Sequence, residues 1–400
     1  TMETLLQAGV NDADLLIAMT GADELNLLCS MTAHGINPNI HTIARICNPD
    51  YTDQVYKMQK TFALSLTVNP EKQAAIEIER LLKFPGFLKR DSFAKGRVEI
   101  VELRVDERSR LCNVALSEMN RVIKCRVLVC AVLRRGDVVA PDGSFVLREG
   151  DRIFVTASTE SLATLLDNLG IITKKVNHVM ICGGGRVSYY LAQQLEKDGI
   201  TVRLIEKDSK HCEELAALLP KTEIINDDAS NTFVLKRENL ESCDALVTAT
   251  GMDELNMIIS LYGTKHGVSQ VITKLGHMEN GSMIDQLPIG STIWPKDLCC
   301  NGIVRYIRAM HNQTGAAVSV HSIADGKAEA IEFHVEEKKS YCDKPLKNMK
   351  VKQNILVACI THGGVTELPG GDSVIREGDT VVVVTTRNDI IYKLDDIFEA

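Results

Sequence analysis

The sequence lacks several features that would place it in common functional classes. It has no excess of positive charge, since the net charge is −8 and the isoelectric point is near 5.8, and this argues against a nucleic-acid binder. No apolar run approaches the roughly 18 residues of a membrane span, and no signal peptide is visible. The 12 cysteines form no Cys-x-x-Cys pair and no metal-ligand spacing with histidine. We therefore expect reduced, buried thiols in a cytosolic protein.

Motifs of common enzymes are also missing. The sequence contains no His-Glu-x-x-His, no Gly-x-Ser-x-Gly and no Walker loop, and its 10 histidines form no recognisable relay. Tyr56 and Lys60 have the Tyr-x-x-x-Lys spacing of short-chain dehydrogenases, but no catalytic serine precedes them in register. We expect a protein that is not an enzyme.

What the sequence does contain is an internal duplication. Residues 19–26 read Met-Thr-Gly-Ala-Asp-Glu-Leu-Asn, and residues 249–256 read Ala-Thr-Gly-Met-Asp-Glu-Leu-Asn. An Arg-Glu-Gly-Asp turn follows each copy at nearly the same distance, at 148–151 and 376–379. Two landmarks in one order at one spacing indicate a tandem duplication. The first copy lacks the glycine-rich segment that opens the second, so we expect either a trimmed chain or a first nucleotide-binding fold that has lost its beginning.

The second copy opens with alternating strand and helix patterns. Strands are predicted at 178–182, 201–206, 223–226, 245–249 and 270–275. Amphipathic helices separate them, and such alternation predicts a parallel sheet with helices on both faces. The right-handed crossover rule then gives a Rossmann-like doubly wound lobe. Helices that begin at Pro70 and Pro295 follow the two lobes, and we predict that they bridge to the next segments.

The fold class is therefore predicted as α/β, with two tandem Rossmann-like doubly wound lobes, each followed by a small α+β domain. The small domains are indicated by short β-branched strands that Gly-Asp turns interrupt. The predicted units are a truncated first lobe at 1–83, its small domain at 84–167, a second lobe at 176–311 and its small domain at 314–400.

The chemistry concentrates in the run Gly183-Gly184-Gly185-Arg186-Val187-Ser188. A glycine-rich turn between strand and helix lets the backbone approach a pyrophosphate, whose oxygens the first helix amides then hold. Glu206 ends the second predicted strand, where a carboxylate accepts hydrogen bonds from ribose hydroxyls and favours NAD over NADP. The alternative is a structural glycine turn beside an ordinary surface glutamate.

Further candidates lie at the ends of other strands. Asp228 follows the third strand and either reaches the adenine end of a nucleotide or is a helix N-terminal acid. Thr20 and Thr250 are predicted to end the fourth strands, at the edge where ligands of such folds bind, and helix N-capping is their alternative role. Arg45 and Lys274 end the fifth strands and either pair with a phosphate or are solvated charges.

Several separate motifs resemble the TrkA family. In the second copy these are Ile181-Cys-Gly-Gly-Gly-Arg-Val, Leu204-Ile-Glu-Lys and Asp227-Asp-Ala-Ser; in the first they include Ala8-Gly-Val-Asn-Asp-Ala-Asp, Asn48-Pro-Asp-Tyr and Phe84-Pro-Gly. The resemblance covers essentially the whole chain. TrkA proteins are the cytosolic regulatory proteins of Trk-type potassium uptake systems, with two nucleotide-binding lobes of the RCK or KTN type, each followed by a small C-terminal domain.

The resemblance also implies ligands and partners. Family members bind NAD(H), and in some cases ATP or ADP, and form dimers or tetrameric rings on the cytoplasmic face of the membrane, beneath a potassium-transport subunit. Carried over by position, the second site uses Gly183, Gly184, Gly185, Arg186 and Val187 for the phosphates and Glu206 for the ribose. The first site uses Thr20, Gly21 and Arg45.

Two departures from the family pattern are visible. The first lobe lacks a glycine loop and an acidic strand end within residues 1–400, and Asp227 stands where the family usually has glycine. The resemblance thus predicts a nucleotide-sensing subunit that gates potassium transport by a conformational change. Three alternatives stay open: the same module on a potassium efflux or antiport system, an NAD-dependent oxidoreductase, and an interaction scaffold with vestigial sites.

Overall fold

The structure is a computed structural model that describes residues 1–399 except 84–87, 95–96, 107–108, 170–174, 277–283, 285–286, 311–316, 325 and 387–390. Its elements form four units, which we call lobe one, C domain one, lobe two and C domain two in chain order. The Phe84-Pro-Gly motif lies outside the described residues. No helix in the described part of the chain is both long enough and apolar enough to span a membrane.

Lobe one contains a three-stranded parallel sheet of order β1-β2-β3. Its elements are α1 (Met2–Gln7), β1 (Leu15–Ala18), α2 (Asp23–Ile36), β2 (His41–Arg45), α3 (Pro49–Lys57), β3 (Leu66–Val68) and α4 (Pro70–Lys83). Helix α3 begins where Asn48 caps it and Pro49 occupies its first turn, a position that proline tolerates because its missing N–H has no partner there.

C domain one is a five-stranded antiparallel sheet of order β4-β5-β8-β6-β7 with two helices. Its elements are β4 (Lys89–Phe93), β5 (Val98–Arg104), α5 (Leu116–Ile123), β6 (Leu128–Arg134), β7 (Asp137–Val139), β8 (Arg152–Ala157) and α6 (Thr159–Leu169). The helices cover one face of the sheet and enclose an apolar core.

Lobe two contains a six-stranded parallel sheet of order β11-β10-β9-β12-β13-β14. Its elements are β9 (His178–Cys182), α7 (Arg186–Lys197), β10 (Thr201–Glu206), α8 (Ser209–Leu218), β11 (Glu223–Asn226), α9 (Thr232–Arg237), β12 (Ala245–Thr248), α10 (Asp253–Lys265), β13 (Gln270–Lys274), β14 (Ser291–Ile293) and α11 (Pro295–Met310). The strand order reverses between β9 and β12, so the doubly wound prediction is confirmed, although only five of the six strands were predicted.

C domain two repeats the antiparallel sheet of C domain one, with the order β15-β16-β19-β17-β18. Its strands are β15 (Ala317–Ile323), β16 (Ala328–His334), β17 (Ile355–His362), β18 (Val365–Glu367) and β19 (Thr380–Thr385). The register shifts between Val129 and Ala131 in one sheet and between Val357 and Cys359 in the other. A bulge in the same place in both domains is what a duplication predicts.

The two bridging helices are exchanged between the lobes. Ala74 and Ile78 of α4 are buried in the core of lobe two, whereas Cys299 of α11 packs against Ile43 and Val68 of lobe one. Each helix thus follows its own lobe in sequence but covers the sheet of the other. The lobes are therefore held together by apolar burial, which is the main favourable term in such contacts.

Candidate functional site

The glycine loop turns the chain from β9 into α7, and Gly183 is the residue that the turn requires. Its φ angle is +99°, in the region that residues with a side chain rarely adopt. A Cβ atom at this position would lie 2.8 Å from the Cα of Thr250. Gly183 therefore lets β9 end directly beside the end of β12, at the point where the strand order reverses.

Glu206 ends β10 and reaches back beneath the glycine loop. Its Oε2 accepts a hydrogen bond from the Gly184 amide at 2.7 Å, and its Oε1 accepts one from the Asp208 amide at 2.9 Å. A Cβ atom at Gly184 would lie 2.9 Å from the same Oε2, so a side chain there would displace the carboxylate. Each carboxylate oxygen has a second lone pair, which leaves Glu206 able to accept hydrogen bonds from ribose hydroxyls.

Gly185 is the N-cap residue of α7, and the space beside it is open. No heavy atom of the described residues lies within 4 Å of the position that a Cβ would take, and no side chain makes a capping hydrogen bond at this helix start. The first amides of a helix need acceptors and carry the positive end of its dipole. Exposed Arg186 lies beside this opening, and Val187 and Ser188 are buried behind it. This arrangement fits a phosphate group.

His211 on α8 also contacts this loop, although no sequence motif indicated it. Its Nε2 lies 2.9 Å from the Gly184 carbonyl oxygen, and its Nδ1 lies 3.2 Å from Glu214 Oε2. Burial lowers the pKa of His211, but the hydrogen bonds to Gly184 and Glu214 and the nearby Glu206 raise it more, so the net shift is upward. A lone histidine on a helix gives no sequence signal, which explains why it was missed.

Asp228 lies exposed after β11, at the same carboxyl edge of the sheet. Its Oδ1 accepts a hydrogen bond from the Ser230 amide at 2.8 Å, and the hydrogen bonds from Ser230 lower the pKa of the carboxyl. The N-cap residue of α9 is Asn231 rather than Asp228. Neighbouring Asp227 forms an ion pair with Arg237 at 2.8 Å.

A buried asparagine joins the ends of β12 and β13. The Oδ1 of Asn256 accepts hydrogen bonds from the Thr250 amide at 2.9 Å and hydroxyl at 2.7 Å, and its Nδ2 donates to the Lys274 carbonyl at 3.0 Å. The side chain is fully buried. Asn256 was missed as a site residue, although it is the last residue of the repeated octapeptide, and that repetition was the signal.

Lobe one repeats this arrangement with Asn26. Its Oδ1 accepts from the Thr20 amide and hydroxyl, both at 2.7 Å, and its Nδ2 donates to the Arg45 carbonyl at 2.9 Å. Thr20 therefore lies beside the end of β2 in the same way that Thr250 lies beside the end of β13. Gly21 follows Thr20, and the space at its Cβ position is open.

Two expectations about the threonines are corrected. The strands end at Ala18 and Thr248, so Thr20 and Thr250 lie two positions beyond them and do not end the strands. The helices that follow have Ala22 and Met252 as their N-cap residues. N-capping is therefore not the role of either threonine, because the threonine side chains bond to the buried asparagines instead.

Arg45 and Lys274 are engaged by protein groups and are not freely solvated. Arg45 Nε donates to Cys47 Sγ at 3.1 Å, and its Nη2 lies 3.9 Å from Glu71 Oε1 on α4; the hydrogen bond with Cys47 raises the pKa of Arg45. Lys274 Nζ donates to the Thr250 carbonyl at 2.8 Å, and burial lowers the pKa of Lys274. A phosphate at either position would have to compete with these partners.

Two family models match the chain, and each matches it twice. The model described as the TrkA-N domain matches residues 1–66 and 179–295. The model described as the TrkA-C domain matches residues 100–170 and 330–398. The N-type matches fall on lobes one and two, and the C-type matches fall on the two C domains.

Curated relatives are similar along nearly the whole chain. The chain is 29% identical over 398 residues to the Trk system potassium uptake protein TrkA homolog of Archaeoglobus fulgidus. This alignment covers 99% of this chain and 88% of the relative. It is 27% identical over 405 residues to the Trk system potassium uptake protein TrkA of Haemophilus influenzae. This second alignment covers 99% of this chain and 87% of the relative.

Solved structures share the fold. The crystal structure of the GsuK RCK domain superposes with a TM-score of 0.59 at 14% identity, over 96% of this chain and 80% of that one. The GsuK channel bound to NAD superposes with a TM-score of 0.58 at 14% identity, over 96% of this chain and 67% of that one. At this identity the likeness concerns the fold alone.

Proposed function

The chain belongs to the TrkA family of Trk system potassium uptake proteins, and we propose that it is the nucleotide-sensing regulatory subunit of such a system. In this proposal it binds NAD(H) in lobe two, with ATP or ADP as competing ligands, and gates a Trk-type membrane subunit by changing conformation. It acts as a homo-oligomer on the cytoplasmic face of the membrane, and it catalyses no reaction.

The observation that carries this proposal is the combination of open space at Gly185 with a fixed carboxylate at Glu206. Nothing described lies within 4 Å of the Gly185 Cβ position, so phosphate oxygens can approach the first amides of α7. Glu206 is held in place by the Gly184 and Asp208 amides. These residues fit the pyrophosphate and the ribose of NAD(H), and the carboxylate would repel the 2′-phosphate of NADP(H).

The exchanged helices support a conformational role for the ligand. Because α4 packs in the core of lobe two and α11 packs on lobe one, neither lobe can rotate without moving a helix of the other. Bound NAD(H) serves in this proposal as a signal, and it shifts the protein between two arrangements only by as much as its affinities for them differ.

The first test is calorimetric titration with NADH, NAD, ATP and ADP. A Gly185→Asp variant places a carboxylate where the phosphate would approach, and the open space there keeps the fold intact. We expect binding by the parent and at least about a tenfold loss of affinity in this variant, since like charges repel strongly at such a site. Gly370→Asp is the matched control, because its Cβ position in C domain two is equally open.

Three results would contradict the proposal. If the parent bound none of the four nucleotides, a scaffold with a vestigial site would be the better description. If Gly185→Asp bound them as well as the parent, the ligand would lie elsewhere than the α7 start. If NADH were oxidised in the presence of small carbonyl substrates, the protein would be an oxidoreductase.

A further inference from the structure

We propose that Tyr190 is the positioning residue that connects the glycine loop of lobe two to the strand ends of lobe one. The inference rests on the function proposed above, since it assumes that a ligand occupies the Gly183–Val187 loop. It adds the residue through which that occupancy reaches the other lobe.

Tyr190 lies on α7, five residues after Gly185, which places it about 7.5 Å along the helix axis from the loop. Only 5% of the residue is exposed. Its ring packs in the apolar core that α7 shares with Ala74 and Ile78 of the exchanged helix α4, and Lys72 Nζ lies 6.0 Å from the ring centroid. Any displacement of the start of α7 therefore moves this ring against a helix that belongs to lobe one in sequence.

The hydroxyl of Tyr190 makes hydrogen bonds to lobe one. It donates to the Cys47 carbonyl at 3.1 Å and accepts from Asn69 Nδ2 at 3.2 Å, and Thr52 Oγ1 lies 3.4 Å away. Burial raises the pKa of Tyr190, so the phenol remains protonated at neutral pH and can donate. A buried hydroxyl without partners would be costly, and the three partners named here all come from lobe one.

Two of these partners, Cys47 and Asn69, lie at the ends of elements of lobe one and form further hydrogen bonds there. Cys47 follows the end of β2, and its amide donates to Asp23 Oδ2 at 2.8 Å, at the start of α2. Asn69 immediately precedes α4, and its Oδ1 accepts from the Lys72 amide at 2.8 Å. One hydroxyl therefore joins the α7 helix to both the carboxyl edge of lobe one and the first turn of its bridging helix.

The hydroxyl contributes something that the ring does not. Apolar contacts are non-directional. Hydrogen bonds require a defined distance and angle. The hydroxyl thus fixes the position of α7 relative to β2 and α4, and a shift of α7 on ligand binding is transmitted to residues 45–52.

The test is hydrogen–deuterium exchange with and without saturating NADH, on the full chain. In the parent we expect NADH to change the exchange rates of amides in residues 45–52 roughly fivefold, the effect of making or breaking one typical hydrogen bond. In Tyr190→Phe we expect the NADH affinity to stay within about twofold, because the ring remains in place, and the response at 45–52 to disappear.

Two further variants make the result specific. Tyr189→Phe is the matched control, because the neighbouring hydroxyl contacts Gln193 of the same helix at 3.4 Å, and its response should equal that of the parent. Asn69→Ser removes one of the Tyr190 bonds from the lobe-one side but keeps an oxygen that can cap the Lys72 amide. It should weaken the response without altering Tyr190 itself.

The outcomes separate this inference from the proposed function. If Tyr190→Phe binds NADH and residues 45–52 still respond as in the parent, the coupling does not use the hydroxyl and the inference is overturned. The same holds if the parent binds NADH and residues 45–52 do not respond at all. If the parent binds no nucleotide, the proposed function fails, and this inference fails with it.

Discussion

At the scale of single residues, the three consecutive glycines of lobe two have three different roles. Gly183 has a positive φ angle and lies against the Thr250 backbone, Gly184 leaves room for the Glu206 carboxylate, and Gly185 borders open space. The glycine run alone predicted a phosphate-binding turn. It could not show which glycine serves the fold and which serves the ligand, because that depends on neighbours distant in sequence.

This division predicts unequal effects for two alanine substitutions. Gly183→Ala should lower the free energy of unfolding of lobe two by at least about 1–2 kcal/mol, because alanine is strained at positive φ and its Cβ would meet the Thr250 backbone. Gly185→Ala should lower it by no more than about 0.5–1 kcal/mol, because alanine is a poorer N-cap residue than glycine but meets no neighbour at this position. Differential scanning calorimetry of both variants checks this, and equal transition temperatures would contradict the assignment of roles.

The repeated octapeptide has an explanation within the fold. Besides the asparagines, its aspartates also act structurally, since Asp23 accepts from the Cys47 amide at 2.8 Å and Asp253 accepts from the Gly276 amide at 2.9 and 2.8 Å. From the sequence, only the threonines and Gly21 of this segment were candidates for ligand binding. The structure shows that its polar side chains bind the loops after two neighbouring strands together.

At the scale of elements, strands with continuous apolar sequence were predictable and short or polar strands were not. The strands β9 and β12 are buried apolar runs in the centre of a parallel sheet, and their sequences indicate this position. By contrast, β14 has only three residues, and β4 consists mostly of charged and polar residues. Such strands exist because a neighbouring strand offers hydrogen bonds, and local sequence does not record that.

The start of the central strands has a pH-dependent contact. Asp244 Oδ2 accepts hydrogen bonds from the Asn177 amide at 2.8 Å and the His178 amide at 3.0 Å, which joins β12 to β9. These bonds lower the pKa of Asp244 below its ordinary value of 3.8, and the bond from Asn177 has the largest effect. The folded state therefore binds fewer protons than the unfolded state around that pH. The stability that these bonds contribute is present above pH 3.8 and is lost as the pH falls through the lower pKa of Asp244 in the folded state.

We accordingly expect Asp244→Asn to reduce the pH dependence of lobe two. Between about pH 5 and pH 3, the thermal midpoint of the parent should fall more steeply than that of the variant, because the asparagine has no proton to bind. Asp372→Asn is the control, since that side chain is 86% exposed and its surface ion pair with Lys347 contributes little to stability, and it should follow the parent. Parallel curves for the parent and Asp244→Asn would show that the amide contacts do not depend on the ionised carboxylate.

At the scale of the whole molecule, the order of lobes and C domains was predictable, and their packing was not. The duplicated landmarks placed the units along the chain. The exchange of α4 and α11, however, depends on contacts between residues far apart in sequence. The β6 sequence Leu-Val-Cys-Ala-Val-Leu-Arg is apolar on both faces, which indicates a strand covered on both sides but does not identify what covers it.

C domain two covers the face of β6 that lies opposite the core of C domain one. Ala131 and Phe154 of C domain one share an apolar core with Ala330 and Cys359 of C domain two, while each domain keeps a separate core on its opposite face. The contacts at the margin are reciprocal. Lys327 Nζ donates to the Gly136 carbonyl, and the Arg97 guanidinium approaches the corresponding Gly364, whose Cβ position is 3.2 Å from Arg97 Nη1. The two C domains therefore pack as a pseudo-symmetric pair.

This packing predicts that one charge in the shared core separates the C domains without unfolding them. Ala330→Glu would bury a carboxylate without a partner, which costs several kcal/mol, and separation relieves that cost because each domain retains its own core. Small-angle scattering should show a larger radius of gyration, with the calorimetric transitions of the C domains still present. Val318→Glu on neighbouring β15 is the control, since Val318 is already 49% exposed. An unchanged radius for Ala330→Glu would mean that the shared core does not hold the pair together, and the exchanged helices alone would then determine the shape of the molecule.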